Sequence, residues 1–211
     1  MKNSFFFLSV SFFIIIISGN INAQQSTNES WNKIISLHFG FPMGTNNWEY
    51  THPSYSGSGA VQTIREPGTF EGKYTLYGEF ELSKGYFGFS AGAGIFPAVI
   101  KVDNTNETYN FNSIFIEITG MIFPLGNQFA KIVPLLKIGA GGIKSSGDLD
   151  NTALFISFGG EVRTFFTENF GASLMLKGRY MTYDEIPLDE NITGDISFTN
   201  FAVELGFMYL F

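Results

Sequence analysis

The last eleven residues, 201–211, alternate in a way few folds can use. Phe201, Val203, Leu205, Phe207, Tyr209 and Phe211 occupy the odd positions, and Ala202, Glu204, Gly206, Met208 and Leu210 the even ones. Side chains of a strand point alternately to opposite faces, so this stretch has one strongly apolar face and one mixed face. A soluble sheet turns the apolar face inward. A transmembrane barrel reverses the assignment, with lipid outside and a partly polar lumen.

Upstream, the same alternation recurs seven times. Segments 33–41, 73–82, 86–96, 111–123, 132–143, 153–165 and 170–182 each read as a strand, with the eighth over 196–211. The connections alternate between long and short: 42–72, 103–110, 144–151 and 183–195 are long and polar, whereas Ser83-Lys84-Gly85, the 124–128 turn and Thr167-Glu168-Asn169 are short. Barrels of the outer membrane sort their connections in this manner, with short turns periplasmic and long loops extracellular. The sequence therefore predicts an all-β, eight-stranded, antiparallel up-and-down transmembrane barrel with both termini on the periplasmic side. The 42–72 segment, rich in Gly, Ser, Thr and Asn, is expected to be an irregular first extracellular loop.

The N-terminus agrees with export. Lys2 precedes the apolar run 5–17 and a small residue at Ala23, the pattern of a secretory signal peptide with cleavage near residue 23. That run is shorter than the ~20 residues a spanning helix needs. The expected organisation is a signal peptide over 1–23, a polar leader over 24–31 and the barrel domain over 32–211. Composition excludes other classes. A net charge of −7 without a Lys/Arg cluster argues against nucleic acid as a partner, and the absence of Cys removes thiol chemistry and disulfides. No cofactor is expected.

Charges fall on the mixed face. Glu79, Glu81, Glu117, Glu161 and Glu204 share the interior parity with Lys137, Arg163, Lys177 and Arg179. Opposite charges in a narrow interior offset much of each other's desolvation cost, so these nine residues form a candidate lumen network. Folding each hairpin about its turn places Glu117 near Lys137, Glu161 near Lys177, and Glu204 near Lys177. Aromatic residues gather at both strand ends, with Phe87, Phe123, Phe165, Phe170, Phe207, Tyr209 and Phe211 at the short-turn end. Phe39, Phe41, Tyr74, Tyr180 and Tyr183 stand at the long-loop end, which suggests two interfacial girdles.

Signal peptide, eight alternating strands and a terminal Phe211 after Phe207 and Tyr209 resemble the small OmpA/OmpX-type outer-membrane barrels. The Asn-, Ile- and Phe-rich sequence is also similar to the outer-membrane β-barrel domain proteins common in Bacteroidota. The resemblance implies residence in the outer membrane of a Gram-negative cell, among its lipids and lipopolysaccharide. It further implies that Phe207, Tyr209 and Phe211 are the signal read by the barrel assembly machinery.

Chemistry is thinly represented. His38, predicted to face the lumen, and His52, near Ser54, Ser56 and Ser58, are the two histidines. No nucleophile, base and orienting acid converge in the sequence, so an enzyme is not expected. Asp148, Asp150, Asp184, Glu185, Asp189 and Glu190 are oxygen donors of the type that bind divalent ions, but solvated loop charges are the simpler account, and no metal site is assigned. An eight-stranded barrel is just wide enough for side chains to fill, although the lumen glycines 88, 92, 94, 139, 141 and 159 would leave a cavity if nothing occupied their space.

The expected role is structural or interactive: a monomeric barrel displaying loops at the cell surface. The 42–72 segment is the candidate contact for an extracellular partner through Trp48, Tyr50 and Tyr55. The alternatives are a narrow channel or binding protein for small hydrophobic ligands, a lipid A-modifying enzyme, and a soluble barrel of lipocalin type.

Overall fold

A computed structural model of the chain describes residues 31–43, 46–55, 61–102, 108–126, 132–189 and 192–211. Ten strands account for nearly all of them: β1 (Asn32–Pro42), β2 (Asn46–Tyr55), β3 (Val61–Gly72), β4 (Thr75–Lys84), β5 (Phe87–Val102), β6 (Thr108–Ile122), β7 (Ile132–Gly147), β8 (Thr152–Phe165), β9 (Phe170–Asp189) and β10 (Ile192–Leu210). All pairings are antiparallel. Around the membrane level the order is β1–β4–β5–β6–β7–β8–β9–β10, and β10 returns to β1 through Ile34↔Leu210 to Pro42↔Ala202. The result is a closed eight-stranded all-β barrel, and closure leaves no exposed edge within that ring.

The 42–72 segment departs from the irregular loop expected of it. β2 continues the line of β1 and pairs with β10 from Trp48↔Phe198 to Thr51↔Asp195. β3 leads into β4 and pairs with β5 from Gly68↔Val102 to Gly72↔Ala98. β2 and β3 also pair with each other over their whole length, from Asn46↔Phe70 to Tyr55↔Val61. The wall thus stays eight strands round past the ends of β1 and β4. Turn-forming residues signalled a loop locally, but the partners that hold these strands lie more than a hundred residues away in β10 and next door in β5. The acidic 183–195 segment differs likewise: β9 runs to Asp189 and β10 starts at Ile192.

Pro97 lies inside β5, beyond residue 96 where the alternation ends that strand. Its position has a clear reason. β4 pairs with β5 as far as Ile95, β3 takes over at Ala98, and Lys73 N donates to Pro97 O across the junction at 2.9 Å. A residue without an N–H costs little where one ladder ends and the next begins. At the opposite end of the barrel, Gly85 turns β4 into β5 with a left-handed backbone (φ 61°).

The alternation sets the two faces. On β6, Ile114, Ile116, Ile118 and Ile122 are exposed outside, 50–71%, while Phe111, Phe115, Glu117, Thr119 and Met121 are buried inside. Along β10 the outward Phe201 to Phe211 span ten residues, or about 25 Å of membrane height for a strand tilted near 40°. Lys101, Asn112, Lys144, Thr152 and Asp184 lie above that band, and Lys33 and Lys84 below it. The exterior girdles include Phe87, Phe170, Phe207 and Tyr209 at one end and Phe39, Phe41, Tyr74 and Tyr180 at the other. Phe123 and Tyr183, also assigned to them, turn inward and are fully buried, and half-buried Phe165 carries the interior parity of Glu161 and Arg163. Phe123 shares the parity of its lumen neighbours Thr119 and Met121, and Tyr183 that of Arg179 and Met181.

Candidate functional site

The lumen is stratified. All nine charged residues assigned to the interior face are buried, none more than 6% exposed, and they form a layer across the middle. Lys137 Nζ lies 2.8 Å from Glu79 Oε2 and 2.9 Å from Glu161 Oε2. Arg163 grips Glu81 with two parallel donors, Nη1–Oε1 at 2.8 Å and Nη2–Oε2 at 2.6 Å, and turns Nε to Glu161 Oε1 at 2.8 Å. A continuous chain therefore runs Glu79–Lys137–Glu161–Arg163–Glu81, from β4 across to β7 and β8 and back. Lys177 meets Glu117 at 2.7 Å, and Arg179 meets Glu204 at 2.8 Å. The hydroxyls of Ser90 and Ser157 donate to Glu79 and Glu117.

These pairings differ from those expected of neighbouring hairpins. Glu117 takes Lys177 rather than Lys137, Lys137 takes Glu79 and Glu161, and Glu204 takes Arg179 rather than Lys177. The register explains it: Glu117 stands opposite Gly141 on β7, four residues from Lys137, or about 13 Å along the strand. Across the narrow interior, long side chains of non-adjacent strands are closer than that. Further residues of the interior parity pack beside the charges. Tyr77 lies with its ring centroid 4.9 Å from Lys177 Nζ, and Ser113, Ser145 and Tyr183 form a chain with both links at 2.7 Å.

Apolar layers close the charged layer on both sides. Toward the long-loop end lie Phe70, Phe96, Phe111, Phe115, Phe155 and Met181; toward the short-turn end lie Met121, Phe123, Val133 and Leu135. The interior cavity lined by Thr75, Phe96, Phe115, Ile143, Phe155, Arg179 and Met181 holds about 10 Å³, at the bottom of what one water requires. On the interior side of the lumen glycines, neighbouring atoms already stand close. A Cβ on Gly139 would stand 2.8 Å from Ser157 Oγ and 2.8 Å from Thr119 Oγ1, so neighbouring side chains already use that space. Tyr77 and Phe115 fill the room beside Gly94 in the same way.

His38 is fully buried in this interior. Its Nε2 lies 2.8 Å from Ser36 Oγ and 3.3 Å from Glu79 Oε2, and its ring stacks on Tyr77 at 4.5 Å. A hydrolytic relay needs nucleophile and acid on opposite ring nitrogens; here both partners meet the same one, and Nδ1 has no hydrogen-bond partner among the described residues. His52 lies in β2 opposite Ile64, and its side chain falls outside the described residues, as do Ser56 and Ser58. Asp148 binds Asn110 through backbone and carboxylate, and Asp150 pairs with Lys144 at 2.5 Å. Among the described residues no group of three or more metal-binding side chains forms.

The remaining candidates lie on the outside or at the top. Phe207, Tyr209 and Phe211 are exposed, 42–70%, on the lipid-facing side beside Phe170 and Phe80. Trp48, Tyr50 and Tyr55 sit in β2, at register positions opposite Phe198, Ile196 and Val61; their side chains lie outside the described residues.

Outer membrane protein OprG from Pseudomonas aeruginosa superposes with a TM-score of 0.53 at 11% identity, covering 91% of this chain and 99% of that one. This chain has the fold of an outer-membrane β-barrel. Outer membrane protein AlkL, solved in lipid bilayers, gives a TM-score of 0.51 at 15% identity over 92% of this chain and 96% of its own. No protein-family model and no curated protein sequence matches the chain. The barrel fold is therefore shared at a level where sequence similarity has faded.

Proposed function

We propose that this chain is an exported outer-membrane barrel with a structural interior, and that its long-loop end is a surface platform for interaction. The filled lumen carries this reading. A conduit needs continuous space, and an enzyme needs a site its substrate can enter; here paired charges occupy the middle and aromatic layers cap both sides. The outward apolar band, its girdles and the fold shared with OprG and AlkL support residence in the outer membrane among lipid and lipopolysaccharide. Exposure of Phe207, Tyr209 and Phe211 on the terminal strand suits a signal for the assembly machinery. The elongated β2–β3 and β9–β10 hairpins are the elements left for recognition.

The chain has no Cys, so single cysteines report topology cleanly. Ser54→Cys on intact cells is expected to react with a membrane-impermeant maleimide, and Asn169→Cys in the short β8–β9 turn to react only after lysis. The reverse pattern would place the hairpins in the periplasm and overturn the surface reading. Release of the protein by osmotic shock, without detergent, would overturn membrane residence itself.

A further inference from the structure

The lipid-facing side of the barrel is not uniform. β1 and β10 turn large side chains outward throughout, from Ile35 to Phe41 and from Phe201 to Phe207. β4 to β7 do not. At one level of that face the outward positions run Gly78, Ala93, Ile116 and Gly142; at the next they run Phe80, Ala91, Ile118 and Ala140. Ile116 and Ile118 therefore stand as a ridge, 66% and 71% exposed, between strips of Gly and Ala.

Two grooves result. One, of about 680 Å³, is floored by small residues from Gly78 across Ala91 and Ala93 to Gly142, and walled by Ile35, Phe80 and the ridge. The other, of about 450 Å³, lies beyond Ile118, over Ala140 and against Ile156 and Phe158. Their floors are open on the outside. A Cβ added at Gly78 or Gly142 meets no atom nearer than 3.9 Å, whereas one added at lumen-facing Gly139 or Gly141 collides. Small residues of this kind let an apolar chain approach the backbone closely.

Depth and charge select the occupant. Both grooves lie within the apolar band, where the medium is hydrocarbon. Gly142 stands ten residues above Ile132 at the short-turn end of β7 but only two below Lys144, about 7 Å along the strand, so the grooves sit toward the long-loop half of the band. Lys144 is exposed, and its ion pair with Asp150 is open to solvent, with side chains 58% and 71% exposed. Such pairs contribute little, so a phosphate displaces the carboxylate at small cost. Asn112 and Ser146 pair beside it with the same outward parity. We propose that the β4–β7 face binds one phosphorylated, multiply acylated lipid of the outer leaflet, with chains in the two grooves and a phosphate at Lys144. The proposal rests on the membrane and surface reading above, which puts the long-loop end in that leaflet.

The probe is lipid A, the phosphorylated, multiply acylated anchor of lipopolysaccharide, titrated against the refolded mature barrel in detergent micelles. Native mass spectrometry reads what stays bound as detergent is stripped. One lipid A per barrel is expected to remain, and diacyl phosphatidylethanolamine to be lost with the detergent. Gly78→Leu/Gly142→Leu fills the grooves from open positions and is expected to lower retention by about tenfold or more. Lys144→Gln is expected to lower it by about fivefold. Leu205→Ala, on the smooth β10 side, is expected to leave it unchanged. Undiminished retention by the filled variant, equal retention of phosphatidylethanolamine, a barrel dimer in place of the lipid complex, or no retention at all would overturn the proposal. A heat-modifiable band on gels certifies that the filled variant is folded; if it is not, Lys144→Gln and the phosphatidylethanolamine arm still decide. Failure here with Ser54→Cys labelled on intact cells sinks this lipid site alone; failure of that labelling sinks the surface reading.

Discussion

Arg163 holds Glu81 with two donors and Glu161 with a third, all within a sealed interior. Removing one partner of such a group strands the others in low dielectric. Arg163→Met is therefore expected to cost about 3–5 kcal/mol, read as a shifted midpoint of urea unfolding in detergent or lipid. Arg163→Lys keeps the charge but loses the fork, and is expected to fall between the two. The glycines give a second test. Gly139→Ala must displace Ser157, Thr119 or Glu117 and is expected to cost about 1–3 kcal/mol. At Gly120, on the outer face, an added Cβ meets nothing nearer than 3.9 Å, so Gly120→Ala is expected within about 0.5 kcal/mol of the parent. At this scale the inward parity of Glu79, Lys137 and the rest is readable from a period of two. Not all of their partners are, because barrel curvature brings Glu79 to Lys137 and Glu81 to Arg163, 58 and 82 residues apart, beside the pairs Lys137–Glu161 and Arg179–Glu204 on neighbouring strands.

Strands follow a similar division. Boundaries at the short-turn end lie within two residues of those the alternation suggests, because compact turns such as Lys84–Phe87 are local. At the long-loop end β5, β7 and β9 run several residues further, and β2 and β3 appear where a loop was expected. Their stability comes from β10 and β5 rather than from their own composition, which a local reading does not register. One consequence separates the two halves of this hairpin. Replacing residues 50–66 by Asn-Gly keeps the Glu49↔Pro67 end of the ladder and is expected to leave a folded, heat-modifiable barrel on gels. Deleting 46–72 entirely also removes the partners of 195–198 on β10 and 98–102 on β5, and is expected to leave the closed β1–β4 ring but to lower its unfolding midpoint further than the Asn-Gly replacement does.

Taken whole, the molecule is a closed ring with an apolar exterior and a filled centre. The general class was legible in the sequence because one face alternates with the other through eight strands. Whether the centre was filled was not, since glycine parity is equally compatible with a cavity and with close packing. The distinction rests on Tyr77, Phe115, Phe155 and Met121, aromatic and long side chains that lean into space the glycines vacate. On the function proposed above, the paired charges and the apolar layers on either side of them close the axis to ions. Planar-bilayer conductance of the purified, refolded barrel tests this most directly. The expected result is a silent membrane at all applied voltages, and stable unitary openings that scale with protein concentration would contradict it.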